Sequence, residues 1–400
     1  MGEFLAFIRR LFFCEVQMGK RVGILTAGSD SPGVNAAIRG FGKAATSTYE
    51  MEVVAFRDGF NGLVEDETFD LQGGAAYSGI LTKGGTILGT SLNLPYAYPS
   101  NTGVEDRTQA ALDTYHRHGL DGLVCIGDKE VQTAAYKLSQ AGLKVISIPK
   151  AADNDIPYTD KSIGFDSARE IATQAIDRLH TTANATHRIM IVELLGNTAG
   201  WLTLGSGMAA GADVILIPEI PYDMDVVIEA IEARKKKGRN FSLVAVAERA
   251  RSKELVDFME AAARRKASNP EEKEKELERI ENNYSGQTML LARRLEDATG
   301  LETRITILGS LVRGGTPTAM DRLLATQLAE WSVAMVAKEK FGRMACRKNG
   351  VMSFIGLEEI AGKGKPIPPN HGWIRGALQV GTCLGVESGA KLFAEVSMED

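Results

Sequence analysis

Along this chain, short apolar runs alternate with longer stretches in which apolar residues return every three or four positions. The runs Arg21–Ala27, Met51–Phe56, Gly122–Ile126, Lys144–Ile148, Arg188–Glu193, Val214–Ile217 and Ser242–Ala247 read as strands. Gly33–Ala45, Thr108–Arg117 and Met224–Lys237 read as helices. Between 166 and 182, Ala168, Ile171, Ala172, Ala175, Ile176 and Leu179 recur at helical spacing and leave Arg169, Glu170, Asp177 and Arg178 toward water. Such alternation predicts an α/β fold of parallel sheets covered by helices. Residues Asn269–Asn283 are nearly all charged with mixed sign, the pattern of a solvated helical insertion.

Composition narrows the class. A chain of 400 residues, 44% hydrophobic and 24% charged, predicts about two domains with ample core. The net charge of −5 and the lack of basic–aromatic interleaving argue against a nucleic-acid partner. Cys14, Cys125, Cys346 and Cys383 have no C-x-x-C spacing, so neither a zinc site nor a disulfide framework is expected, and reduced thiols suit a cytoplasmic protein. No His, Cys and acid cluster has metal-ligand spacing. Phe4–Phe13 is apolar but short and broken by Arg9 and Arg10, too little for a membrane span. Residues 1–17 are expected to be an appended segment, since the sequence starts afresh at Met18 just before the first strand.

The chemistry concentrates in turns that follow strands. Val145–Pro149 delivers Lys150 and then two carboxylates, Asp153 and Asp155, around Asn154. Acids at the carboxyl end of a buried parallel strand stand where open α/β sheets hold ligands. A carboxylate there can take a proton from a hydroxyl or help hold Mg²⁺. On spacing alone, capping of the following turn is an equally open reading. Thr26–Asn35, containing Gly28 and Ser29, joins a strand to a helix and aims backbone N–H groups at an anion. Lys83–Ser91 is a second Gly-rich turn, and Leu308–Pro317 a third that carries Arg313 beside two glycines. No G-x-G-x-x-G follows a strand and opens a helix, which argues against a dinucleotide-binding dehydrogenase.

Taken in order, TAGSDSPGVNAAIRG, GGTILGTS, PKAADNDI, SIGFDSARE, AIDRLH, THRIMIVELLG, WLTLGSGMAAGAD, PEIPYD, ETRITILG and RGGTPTAMDRLLA resemble the motifs of the 6-phosphofructokinase family over roughly residues 18–390. The resemblance implies two Rossmann-like α/β domains with the active site between them. The donor domain would be 18–160 plus about 314–370, and the sugar-phosphate domain 161–313 plus about 371–400. It implies phosphoryl transfer from ATP or diphosphate to the 1-hydroxyl of fructose 6-phosphate, a step of glycolysis, in a homodimer or homotetramer. By the same resemblance Asp153 stands where the catalytic base lies and Asp155 beside Mg²⁺. Arg188, Arg304 and Arg313 correspond to sugar-phosphate ligands, the first two donated by a neighbouring protomer, and Glu248 to a group gripping the sugar hydroxyls. Gly28, Ser29, Gly127, Asp128, Glu130 and Lys150 fall on the donor side, with Asp128 as a second candidate metal ligand.

The departures lie on that donor side. Where the family carries a glycine-rich turn, this chain reads Ile126-Gly-Asp-Lys-Glu-Val131. Glycines there let backbone approach the donor phosphates, whereas Asp128 and Glu130 bring negative charge. Ala151 and Ala152 replace the Thr and Ile of P-K-T-I-D-N-D, removing a hydroxyl. Ser29 replaces a glycine, and Leu92 stands where an arginine often follows the G-T-S turn. Asn197 occupies a position where some relatives place arginine. Phosphoryl transfer is mostly positioning and charge stabilisation, so these changes predict absent or strongly reduced activity, a possible pseudoenzyme. The other reading is a working kinase whose donor site has been rebuilt.

Overall fold

The structure, a computed structural model, describes residues 19–71, 76–196, 199–266, 270–283 and 286–387. The expectations for residues 1–17 and for Asn197 lie outside the described residues. The strands are β1 Arg21–Thr26, β2 Glu52–Phe56, β3 Thr68–Phe69, β4 Tyr98–Ser100, β5 Gly103–Glu105, β6 Gly122–Gly127, β7 Val145–Pro149, β8 Ile189–Leu194, β9 Val214–Leu216, β10 Ser242–Ala247, β11 Thr303–Ile307, β12 Arg343–Lys348 and β13 Val351–Gly356. The main helices are α1 Val34–Thr48, α2 Thr108–Arg117, α3 Lys129–Gln140, α4 Phe165–Thr186, α5 Trp201–Ala209, α6 Met224–Lys236, α7 Lys253–Lys266, α8 Pro270–Asn283, α9 Gln287–Thr299, α10 Ala319–Ala337 and α11 Gly372–Gln379.

The chain divides into two units. The first holds the described residues up to Ala152, Ile156–Ser167 and Arg313–Gly364; the second holds Asp153–Asp155, Ala168–Val312 and the described residues from Lys365 onward. In the first, a sheet runs β13-β12-β7-β6-β1-β2-β3. Its central strands β1, β6 and β7 are apolar on both sides because both faces are covered. Ile24, Val124, Ile146 and Phe41 pack with Leu328 and Val333 of α10 on one face. Leu25, Phe56, Leu123, Cys125 and Val145 pack with Ala134 and Leu138 of α3 on the other.

From β1 the chain first adds β2 on one side and later β6 and β7 on the other, so the order reverses between β1 and β6. That reversal opens a crevice at the carboxyl ends of those strands, where Gly28 and Asp128 follow directly.

The parallel sheet of the first unit carries antiparallel strands at its edges. β12 and β13 pair antiparallel, as do β2 and β3. The β12–β13 turn is Asn349-Gly350, both left-handed with φ of 52° and 79°. Asn-Gly is the dipeptide that a two-residue hairpin favours. In the second unit a wholly parallel sheet has the order β11-β8-β10-β9. Its core joins Ile189, Ile191, Val244 and Val246 to Val227 and Ile231 of α6 and to Leu291 and Leu295 of α9. Within the charged stretch, Pro270–Asn283 forms the expected helix, α8.

Candidate active site

Of the residues the sequence places on the donor side, Gly28, Ser29, Gly127, Asp128 and Lys150 meet at the switch point of the first unit, whereas Glu130 is exposed and pairs with Lys129. Gly28 is left-handed with φ of 78°, so the turn after β1 folds back and its next N–H points across to β6. The acceptor there is the side chain of Asp128: Ser29 N–H donates to its Oδ2 at 2.7 Å. A Cβ on Gly28 would lie 2.1 Å from that same oxygen, so only glycine allows the approach.

Asp128 is also the N-cap of α3, its Oδ1 accepting from the Val131 N–H at 3.3 Å. The helix therefore begins at Lys129, and Glu130 lies in its first turn. Sequence reading found no helix here, although Asp128 before an apolar-periodic stretch is a start signal. Gln132, 1% exposed, donates to the carbonyl oxygens of Gly127 and Ile148 at 2.9 and 3.4 Å and accepts from Ser147 Oγ. The segment is thereby tied to β6 and β7.

Lys150 completes this cluster from below. It is 1% exposed, and its ammonium donates to the carbonyl oxygens of Ala27 and Ser29 at 2.9 and 2.5 Å. Burial pulls its pKa down to about 8; Asp128 and Asp30 oppose that pull, and Arg313 adds to it. This lysine thereby holds the turn after β1 in place.

The other Gly-rich turns also pack here. Gly28 N–H donates to Ser91 O at 2.9 Å, and Thr90 Oγ1 to Gly28 O at 2.6 Å. Asn35 donates to Gly85 O at 2.7 Å and accepts from Ile87 N–H at 2.9 Å. A Cβ on Gly84 would lie 2.4 Å from the Gly315 carbonyl, so the second and third turns touch through backbone. Leu92 is 72% exposed. Asn35, Thr90 and Asp30 carry site geometry that sequence reading did not single out.

Asp153 comes four residues past the end of β7 and is half-buried, as is Asp155. Between them Asn154 is buried and left-handed with φ of 55°, a conformation that asparagine tolerates better than most residues. By its contacts this triplet groups with the second unit, whereas Lys150 groups with the first.

In the second unit, Arg188 precedes β8 and Arg304 lies in the neighbouring β11. Both bind Glu302: Arg188 Nε at 2.5 Å from Oε2, and Arg304 through Nη2 to Oε1. Glu302 immediately precedes the edge strand β11, two residues before Arg304, and that spacing is the one signal that could have found Glu302 in the sequence.

Glu248 lies at the other end of the same sheet. Ser242 N–H bonds Arg188 O, while Glu248 N–H bonds Leu194 O. Six residues of strand rise separate the two levels, roughly 20 Å. The structure thus unites Arg188 with Arg304 and not, within one chain, with Glu248. Arg313 groups with the first unit, near Lys150, whereas Arg188 and Arg304 belong to the second. Its Nε is buried and has no hydrogen-bond partner among the described residues.

A metal fits this arrangement poorly at Asp128. Both its carboxylate oxygens already accept backbone N–H groups. No group of three His, Cys, Asp or Glu side chains among the described residues is arranged to hold a metal. Among those residues, no helix is long and apolar enough to cross a membrane.

A doubly wound sheet with Gly-rich turns at its switch point defines an open α/β protein that presents ligand-directed loops at the carboxyl ends of its strands. More particularly, the chain belongs to the phosphofructokinase family: the model described as Phosphofructokinase matches residues 21–336. A relative from Propionibacterium freudenreichii named ATP-dependent 6-phosphofructokinase is 48% identical over 373 residues, 92% of this chain and 100% of the relative. One of the same name from Spirochaeta thermophila is 43% identical over 369 residues, 91% of this chain and 97% of its own. Among solved structures, a pyrophosphate-dependent phosphofructokinase from Marinobacter aquaeolei matches with a TM-score of 0.71 and 21% identity over 92% of each chain, a likeness of fold. The fold is accordingly the two-domain α/β fold of phosphofructokinases.

Proposed function

We propose that this chain is a phosphofructokinase homologue that binds fructose 6-phosphate and whose phosphoryl transfer from ATP or diphosphate is absent or strongly reduced. The carrying observation is that Gly127–Val131 forms no glycine turn. It opens α3 instead, with Asp128 on the Ser29 N–H and Glu130 in the first helical turn. Asp128 sets a carboxylate where donor phosphates would need N–H groups, with Lys150 buried beneath it, while Glu130 in the same helical turn is exposed and pairs with Lys129. Loss of one well-placed group costs about 3 kcal/mol of transition-state stabilisation. Several are altered together here.

On the acceptor side, Asp153 is assigned the base that takes the proton from the 1-hydroxyl. Glu248 is assigned the sugar hydroxyls, and Arg188, Arg304 and Arg313 the phosphate. Arg188 and Arg304 stand about 20 Å from Glu248, so a site containing all three needs a second copy of the chain. A homodimer or homotetramer supplies it. Mg²⁺ is expected beside Asp155; Asp128 is a helix cap in this reading, not a metal ligand. Cytoplasmic location and a place in glycolysis follow from the family.

A second reading, an active ATP-dependent 6-phosphofructokinase with a rebuilt donor site, is favoured by the names of the 48% and 43% identical relatives. A coupled assay with fructose 6-phosphate and either ATP or diphosphate decides between them. Turnover of tens per second with either donor would establish the second reading; rates lower by a hundredfold or more would establish the first.

A further inference from the structure

Two donors of the first unit's switch point converge on one side chain, with a buried cation close by. Ser29 N–H and the N-terminus of α3 both address the Asp128 carboxylate. Beneath it the Lys150 ammonium is buried and spans Ala27 O and Ser29 O. Asp30 and Arg313 are the other charged groups that act on Lys150. Arg313 Nε is buried with no hydrogen-bond partner among the described residues, and Asp30 Oδ1 likewise.

Counted as charges, Lys150 and Arg313 balance Asp128 and Asp30, Lys129 and Glu130 pair with each other, and the helix dipole adds partial positive charge at the point Asp128 occupies. Without the Asp128 carboxylate, this turn would hold an excess of positive charge and a free N–H beside Gly28. That is the composition of a phosphate site.

We propose that Asp128 is a built-in anion, an autoinhibitory contact that occupies an anion-binding turn, and that its removal opens the turn to diphosphate or to the terminal phosphates of a nucleotide. The inference rests on reading this turn as the donor side. It adds the cause of the impairment: the cradle is filled by the chain's own carboxylate. A carboxylate tethered by one strand end binds with high effective concentration, so a free anion competes poorly.

Asp128→Ser separates the plug from the cap. Serine is as good an N-cap as aspartate, yet its hydroxyl is too short to reach both the Val131 and the Ser29 N–H groups. Asp128→Asn removes the charge and leaves a single acceptor oxygen, so only one of the two N–H groups keeps its partner. Equilibrium binding of inorganic diphosphate and, in parallel, of ATP is measured calorimetrically on the full chain, with urea unfolding to show that each variant is folded.

The expected result is at least tenfold tighter binding of one of these anions by Asp128→Ser than by the unmodified chain, with Asp128→Asn between them. The anion that gains more identifies the source. Equal binding by the unmodified chain and whichever of the two variants folds would overturn the plug. Equal binding with no turnover leaves the impaired-transfer reading standing, whereas family-level turnover in the unmodified chain overturns both.

Discussion

Whether the switch-point turn is held from within the chain can be read from Lys150. Its ammonium is buried, and burial brings its pKa from 10.5 to about 8 despite Asp128 and Asp30. Between those two values the unfolded chain binds more protons than the folded one, so stability rises with pH across this window. At pH 7 the charged form is disfavoured by about 3 kcal/mol at most. Carrying the pH from 7 to 10 should recover about 2–3 kcal/mol of it. The neutral amine still has N–H donors for Ala27 O and Ser29 O, so the two bonds survive deprotonation.

The comparison is Lys150→Met, which keeps the volume, removes the titration and leaves both carbonyls without a donor, at about 1–3 kcal/mol each. Urea unfolding of both proteins is followed at pH 7, 8, 9 and 10. Tyr115 and Tyr222, each pushed up to about 12 by burial, titrate in both proteins and cancel in the difference. The unmodified chain should gain about 2–3 kcal/mol on the variant across this range. A difference that stays flat from pH 7 to pH 10 would refute a buried, structurally employed ammonium and return Lys150 to the pool of donor ligands.

Three further outcomes are expected. Replacing Asp128, Lys129 and Glu130 by glycine with Val131→Thr and Ala151→Thr should raise turnover by about a hundredfold or more in the coupled assay, and adding Asp153→Asn to that variant should abolish the gain. Millimolar fructose 6-phosphate should raise the melting temperature by several degrees, and Arg304→Ala should remove the shift; an unmoved transition in the unmodified chain would discard the sugar-phosphate assignment. Asp321 is 1% exposed and accepts from Gly164 N–H, Ser167 N–H and Ser167 Oγ, so Asp321→Ala should cost roughly 3–5 kcal/mol in urea unfolding, and a loss below ~1 kcal/mol would contradict that geometry.

The sequence by itself determined the elements and their class. Runs such as Gly122–Ile126 and Ser242–Ala247 form strands because continuous apolar residues need burial on both faces. Thr108–Arg117 forms a helix over the very span its periodicity marks. Local chemistry also sufficed for the Gly-rich turns and for the acids after β7, since turns are fixed by residues a few positions apart. Asn349-Gly350 shows a local signal that was legible but unread.

Strand order was not legible, because pairing joins residues a hundred positions apart, as β1 does with β6. Only that order sets Asp128 against Ser29 and Lys150 beneath both, so the sequence displayed the charges at 127–131 but not their engagement. Likewise Arg188 and Arg304 became a pair, and parted from Glu248, only once β8, β10 and β11 lay parallel in one sheet. Side-chain identity is local information, whereas the meeting of side chains depends on packing that no short window of sequence contains.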